Sequence, residues 1–263
     1  TPKSVTKGKE GRESGPLRKR IIVAPASPKD KMQVTLKLEL DLIEAAGPAK
    51  NKNARALSVS ERKLYLAAEE YYEHDSRWFR DWVKKHELVK AKAESDIEFA
   101  QRLQAFMRKN FTYSIPDEAK MRARIKDLGT GELGYFTSEW TGECWALSRI
   151  FTCVLRANGV PCRQVSGRIL DGAHHVRAEA YFDGIGWTHI EVAGSVTDKQ
   201  GGLEKYFGRG GADMVVMNEG IHFVLPGPTG AGKIGTFSGF AACKAGGSWE
   251  FPLGQWALAD REK

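Results

Sequence analysis

Six apolar residues, Met32, Val34, Leu36, Leu38, Leu40 and Leu42, alternate with mostly polar neighbours. A period of two sends successive side chains to opposite faces, so residues 32–42 are predicted to be a strand with one buried face. A polar connection follows from Gly47 to Arg55. Ser58 or Ser60 can cap a helix running through Leu64, Ala67, Ala68, Tyr71 and Tyr72, and a second helical stretch covers Trp78 to Lys90. Ser95-Asp96-Ile97-Glu98 is a capping box. It opens a helix with an apolar face of Ile97, Ala100, Leu103, Phe106 and Met107. Phe111 to Ser114 reads as extended, and residues 115–140 read as irregular around Gly129, Gly131 and Gly134.

The next helix has the plainest period. Leu147, Ile150, Phe151, Val154 and Leu155 form one stripe, Asn158-Gly159 ends it, and Pro161 blocks continuation. Arg163–Leu170, His174–Phe182 and Trp187–Val192 read as strands. Asp171-Gly172 is a turn between the first two, and Asp183-Gly184-Ile185-Gly186 is a hairpin signal between the last two. Half of the 28 glycines lie beyond residue 200, which disfavours long helices there. Met214–Met217 and Ile221–Leu225 read as short strands.

Composition adds two limits. No apolar run approaches the ~18 residues of a membrane-spanning helix. The net charge of +7 is concentrated at one end: residues 1–31 hold nine Lys/Arg against three acids. That segment has no apolar periodicity and reads as a disordered basic tail. Its charge fits contact with an anionic polymer or a membrane surface, and nothing in the chain signals specific nucleic-acid binding. A start at Thr1 rather than Met is what a removed leader or a cloning choice leaves. An exported compartment, periplasmic or extracellular, is slightly favoured over the cytoplasm. Oligomeric state is left open.

The four cysteines, Cys144, Cys153, Cys162 and Cys243, include no CxxC and no zinc-ligand spacing, so no metal or other cofactor is expected. Buried free thiols are the expectation for those other than Cys144, with a Cys162–Cys243 disulfide as the alternative in an exported protein. Gly227-Pro228-Thr229-Gly230-Ala231-Gly232-Lys233-Ile234 nearly spells a phosphate-binding loop. Ile234 stands where a magnesium-holding hydroxyl is needed, and too little chain follows for a nucleotide-binding sheet. It reads as a glycine-rich loop.

The candidate chemistry lies at the start of the stripe helix. A cysteine at a helix N-terminus meets unpaired N–H groups that favour thiolate, and an imidazole nearby favours it further. The His174–Phe182 strand places His175, Arg177, Glu179 and Tyr181 on one face, and Val176, Ala178, Ala180 and Phe182 on a face suited to a core. Trp187, His189 and Glu191 share a face of the next strand. If Tyr181 lies opposite Trp187, Arg177 lies opposite Glu191, with His175 its diagonal neighbour. Glu191 could then orient His175 or pair with Arg177. His189 and Glu179 are the lesser alternatives for histidine and carboxylate, and His174 points the other way. Trp140 or Tyr135 could line the site or assist an oxyanion hole.

These residues resemble the transglutaminase-like family of cysteine enzymes. Gly142-Glu143-Cys144-Trp145 is similar to the family's Gly-x-Cys-Trp. Leu155 to Arg163 is similar to its LRxxGIPAR run, His175-Val176-Arg177-Ala178-Glu179-Ala180 to its His-Val-Trp-x-Glu-Ala, and Gly186-Trp187-x-x-x-Glu191 to its Gly-Trp-x-x-x-Asp-Pro-Thr. The likeness spans roughly 95–195. It implies an α+β fold: a papain-like core with helices packed on an antiparallel sheet, here with an N-terminal strand and a glycine-rich β extension. It divides the chain into a basic tail (1–31), a strand and helical region (32–94) and a catalytic domain (95–263).

The resemblance further implies Cys144 as nucleophile, His175 as base and Glu191 as third member, with Trp140, Trp145, Tyr135 and Arg177 as substrate-binding or oxyanion candidates. Glu191 departs from the usual Asp, and Arg177 from the usual aromatic residue. The implied activity is acyl transfer from protein or peptide amides through a thioester, with hydrolysis favoured. The alternatives are γ-glutamyl transfer that cross-links proteins, and a non-catalytic binding or scaffold module that keeps the fold.

Overall fold

Serines start the first three helices: Ser58 for α1 (Val59–Leu66), Ser76 for α2 (Arg77–Lys85) and Ser95 for α3 (Asp96–Asn110). Each hydroxyl accepts the N–H three residues on, satisfying a donor that has no partner inside the helix. The predicted box at Ser95 is complete, with Glu98 returning its carboxylate to the Ser95 N–H at 2.9 Å. The chain, a computed structural model, is described over residues 45–69, 71–169, 173–210 and 213–219, and for the backbone of short strands on either side. It divides into two units, Thr1–Asp41 and Leu42–Lys263.

In the first unit β1 (Val5–Lys7) pairs antiparallel with β2 (Ile21–Val23), inside the segment the sequence pattern reads as a disordered tail. The strand predicted at 32–42 and the turn at Asp171-Gly172 lie outside the described residues.

The second unit opens with β3 (Ala45–Ala46) and α1. α1 ends at Leu66 and not at Tyr72. Ala67 turns extended, with ψ 140°. Tertiary contacts hold the rest: the buried Tyr72 hydroxyl donates to Gln164 Oε1 at 2.7 Å, and Arg156 lies over its ring while donating to the Ala67 carbonyl. α2 likewise stops at Lys85, short of Lys90. Glu87 takes a left-handed φ of 56°, Leu88 is buried, and the Asn158 side chain holds both the Leu88 carbonyl and the Lys90 N–H.

β4 (Thr112–Tyr113) follows α3, and then comes the largest correction. Residues 115–140, read as irregular, contain α4 (Glu118–Leu128) and α5 (Glu132–Glu139). α4 fully buries none of its residues, and its apolar positions Met121, Ile125 and Leu128, at i, i+4 and i+7, make only a narrow half-buried stripe. Its signals are Asp117, which caps Lys120, and Gly129, which closes it at φ 62°. α5 buries Leu133, Gly134, Phe136 and Thr137.

β5 (Thr141–Gly142) leads into α6 (Cys144–Ala157). The predicted stripe of α6 is buried, and so is the opposite side, including Ser148, Arg149 and Thr152. A helix buried all round is the centre of its domain. Arg149 is tolerated there because it donates to the Tyr71 carbonyl and meets Glu132 at 3.2 Å and Glu73 at 3.5 Å.

α6 packs on a four-stranded antiparallel sheet in the order β10-β6-β7-β8: β6 (Cys162–Ile169), β7 (His174–Phe182), β8 (Gly186–Ile190) and β10 (Met214–Glu219). Val176, Ala178, Ala180 and Phe182 join the α6 core, as the alternation predicts. Tyr181 pairs with Trp187, the register read from the hairpin. The strand predicted to reach Val192 stops at Ile190, and Val192 begins α7 (Val192–Thr197).

β9 (Arg209–Gly210) pairs with β3, and β4 pairs in parallel with β5. β11 (Phe223–Gly227) and β12 (Gly230–Ile234) form an antiparallel hairpin. Of the segment that nearly spells a phosphate-binding loop, Gly227 ends β11 and Gly230–Ile234 is β12, so it does not run from a strand into a helix. β13 (Cys243–Ala245) and β14 (Ser248–Glu250) form another two-stranded pair.

Candidate active site

β5 delivers Cys144 to the first position of α6. The strand runs so close to the helix that a Cβ on Gly142 would sit 2.8 Å from the Ala146 methyl. Glu143 is the N-cap: its carboxylate takes the Trp145 N–H at 2.6 Å. Burial pushes the Glu143 carboxyl upward, against the opposing pull of the Trp145 N–H and the neighbouring Ala146 N–H and Cys144 thiol. A carboxylate over the helix end offsets part of the positive potential that the sequence reading assigns to it. The imidazole is then the main partner that can stabilise a thiolate.

That imidazole is His175. Its Nε2 lies 2.7 Å from Glu191 Oε2, and the ring is near enough to the Cys144 thiol for the thiol to help raise its pKa. With Nε2 on the carboxylate, Nδ1 is the nitrogen left for sulfur. Burial alone would lower the His175 pKa, but the Cys144 thiol, the bond to Glu191 and the Glu191 charge raise it to about 9.

Glu191 sits at the end of β8 and caps α7, with its Oε1 accepting the Gly194 N–H at 3.1 Å. Its Oε2 serves two donors, His175 and the Arg177 Nε at 2.5 Å. Arg177 is itself buried and forks onto Asp213 at 3.0 and 2.6 Å. Burial pushes the Glu191 carboxyl up. His175, Arg177 and the Gly194 N–H outweigh burial and hold it below the usual range, so it is a carboxylate. The two roles that the sequence leaves open for Glu191 are thus both filled.

The other candidates are engaged elsewhere. Glu179 pairs with Arg163 at 2.7 Å. His189 bonds the Arg209 carbonyl. Burial lowers the His174 pKa, and its Nε2 is buried without a hydrogen-bond partner among the described residues. Trp140 closes α5 at φ 55°, and its ring packs among Trp82, His86, Phe106 and Phe111. The Tyr135 ring meets Phe136, and the Trp145 ring covers Arg149. Cys153 and Cys162 are buried free thiols, both pushed up to about 12 by burial.

The sequence reading misses two residues that reach the site, Asp213 behind Arg177 and Tyr113. Burial, and after it the neighbouring groups at Cys144 and Glu143, raise the Tyr113 phenol above its ordinary range. Phe111-Thr112-Tyr113 is visible as an extended end to α3, but only the β4–β5 pairing shows which way the phenol lies.

A raised histidine pKa has a stability consequence. The folded value of about 9 exceeds the ordinary 6.5, so folding favours imidazolium. That contribution is full below about 6.5 and is lost as pH rises through about 9. His175→Gln is therefore expected to trail the wild type in Tm by more at about pH 6 than at about pH 10. Equal gaps at both, by thermal melts, would contradict the raised value.

A cysteine opening a central helix, set against histidine and carboxylate on neighbouring antiparallel strands, is the papain-like arrangement. Residues 85–192 match the transglutaminase-like superfamily, and this part of the chain is a transglutaminase-like superfamily domain. No curated protein matches the chain.

Solved structures that resemble it include a candidate cysteine protease from Cytophaga hutchinsonii, with 15% identity, 62% of this chain and 55% of that one covered, and a TM-score of 0.40. Another is the periplasmic domain of TgpA from Pseudomonas aeruginosa bound to ethylmercury, with 20% identity, 57% and 53% covered, and a TM-score of 0.40. The chain thus spans about half the length of these structures. Among the described residues no helix is long and apolar enough to cross a membrane, and no cluster of three or more His, Cys, Asp or Glu could hold a metal ion.

Proposed function

We propose that the protein is a cysteine-dependent acyl-transfer enzyme acting on amide bonds of proteins or peptides, with water as the favoured acceptor. The observation that carries this is the chain of contacts from the Cys144 thiol through His175 to Glu191. Cys144 sulfur attacks the carbonyl carbon as thiolate, with its proton on His175. The C–N bond breaks, the amine leaves with the His175 proton, and a thioester remains. Water then gives up a proton to His175 and its oxygen replaces sulfur, releasing the acid and restoring the thiol. Glu191 holds the ring and stabilises the imidazolium.

A reactive thiol needs access, and Cys144 keeps a narrow opening at 9% exposure, where Cys153 and Cys162 have none. A peptide library read by mass spectrometry tests the reading. Cleavage adds water to the products, deamidation exchanges amide for acid, and cross-linking loses ammonia. Cleavage or deamidation that depends on Cys144 supports hydrolysis, and ammonia loss with joined peptides moves the reading to γ-glutamyl transfer. A library left unchanged, together with iodoacetamide labelling of Cys144 no faster than of an ordinary thiol, leaves the non-catalytic module.

A further inference from the structure

α3 turns Ala100, Leu103, Gln104 and Met107 into the core, at i, i+3, i+4 and i+7. Three of the four are apolar. Gln104 is 1% exposed, and an amide buried there is unfavourable unless it is hydrogen-bonded. Its Nε2 donates to the Tyr206 carbonyl at 3.0 Å.

That carbonyl also accepts the Glu191 N–H, at 2.9 Å. A carbonyl oxygen has two lone pairs. One serves α3 here, and the other serves the residue that contacts His175. Tyr206 grips the same turn in two more ways. Its ring lies against Gly194, where an added Cβ would come 2.9 Å from the ring and 2.7 Å from Glu191 Cγ. Its hydroxyl donates to Asp198 Oδ2 at 2.6 Å, at the other end of α7. Ile190 and Phe207 form an antiparallel bridge, and Gly208 N donates to the His189 carbonyl at 2.8 Å, so residues 206–208 run beside the end of β8.

The site needs Glu191 in one place, with Oε2 on His175 and Oε1 on the Gly194 N–H. Its backbone, at φ −87° and ψ 83°, has already left the strand. The bond from its N–H to Tyr206 takes over from the β8 ladder as the backbone anchor.

On the reading of Cys144 as nucleophile, we propose that Gln104 is a positioning residue for the reaction: by holding the Tyr206 carbonyl it sets the backbone of Glu191, and through Glu191 the His175 ring that serves the sulfur. The path runs from Gln104 Nε2 to the Tyr206 carbonyl, to the Glu191 N–H, and from Glu191 Oε2 to His175 Nε2. Gln104 touches no reacting atom and exchanges no proton. Its effect is geometric, and a displacement of about 1 Å that begins far from the chemistry can cost about 10² in rate.

Gln104→Met keeps the length of the side chain and removes the donor. Gln104→Asn keeps an amide but withdraws it by one methylene, and gives the same reading if the Met variant does not fold. Asn158→Ala, which releases Leu88 and Lys90 at the far end of α6, is the destabilised control. The probe is p-nitrophenyl acetate, whose acyl group passes to the Cys144 sulfur with release of p-nitrophenolate. The expected result in either Gln104 variant is acylation about 10- to 10²-fold slower, with His175 titrating below about 9 by NMR. Asn158→Ala should show neither change. Added to Glu191→Gln, the Gln104 substitution should cost almost nothing more, because both act through one carboxylate. Losses that multiply in the double variant overturn the proposal. So does a Gln104 variant with a lowered Tm but unchanged acylation and unchanged His175 titration. Either result leaves Cys144 as nucleophile and the glutamine as a packing bond only. A wild type that the ester acylates no faster than free cysteine overturns the nucleophile reading, and this proposal with it.

Discussion

Replacing Cys144 by alanine is expected to lower turnover of any peptide substrate by about 10⁴ or more while leaving the fold intact. The magnitude follows from losing a covalent nucleophile, whose partners cannot act without it. Intact folding follows from position. Cys144 is the first residue of α6, and alanine there keeps the β-carbon and removes only the sulfur. Alanine is a good helix former there. One linked change is expected: without the thiol, the His175 pKa should fall below its value of about 9, because the Cys144 thiol is the first of the contributions that raise it. Mass spectrometry of products gives the rate and NMR titration of His175 gives the pKa. A variant that retains a tenth of wild-type turnover sinks the assignment.

Much of this site is legible in the sequence because its parts are local and periodic. The β7–β8 register follows from the tight turn after Phe182 and from Tyr181 facing Trp187, and it brings Arg177 and His175 to Glu191 before any coordinate is seen. The Ser95 box marks α3 because its signals lie three residues apart.

What is not legible has three physical causes. α4 has only a short, half-buried stripe of Met121, Ile125 and Leu128 between its caps, too narrow to stand out among its charged neighbours. Chain ends of elements are set by distant groups: Arg156 and Gln164 hold Ala67 and Tyr72 out of α1, and the cap bond from Gly194 turns Glu191 from a strand residue into the start of α7. Side-chain direction in extended segments depends on the neighbouring strand. Tyr113 is aimed at Cys144 by β5, and Trp140 is turned into an aromatic cluster by a left-handed φ that no period announces. Asp213, far along the chain from Arg177, has no local signal at all.

Glu191→Gln is expected to cut the rate by roughly 10²–10⁴, because an amide can favour the wrong imidazole tautomer and cannot stabilise imidazolium. The amide oxygen can keep either the Arg177 bond or the Gly194 cap but not both, since the carboxylate uses a separate oxygen for each, so a lowered Tm should accompany the lost rate while the fold persists. Glu191→Asp tests reach. The native carboxylate spans His175, Arg177 and Gly194 at once, and one methylene less leaves too short an arm for all three. Substantial activity with a lowered Tm is the expected result.

Arg177 shares Oε2 with His175, and its charge opposes imidazolium. Arg177→Ala should therefore raise the His175 pKa further and carry the alkaline limb of the pH–rate profile upward. It should also cost on the order of 3–5 kcal/mol by breaking a buried pair. A role confined to stability would lower Tm and leave the limb where it is. If Glu191→Gln keeps more than half the activity and Arg177→Ala leaves the profile unmoved, Glu191 serves only as a cap and ion-pair partner. Cys144 and His175 would then work without a third member.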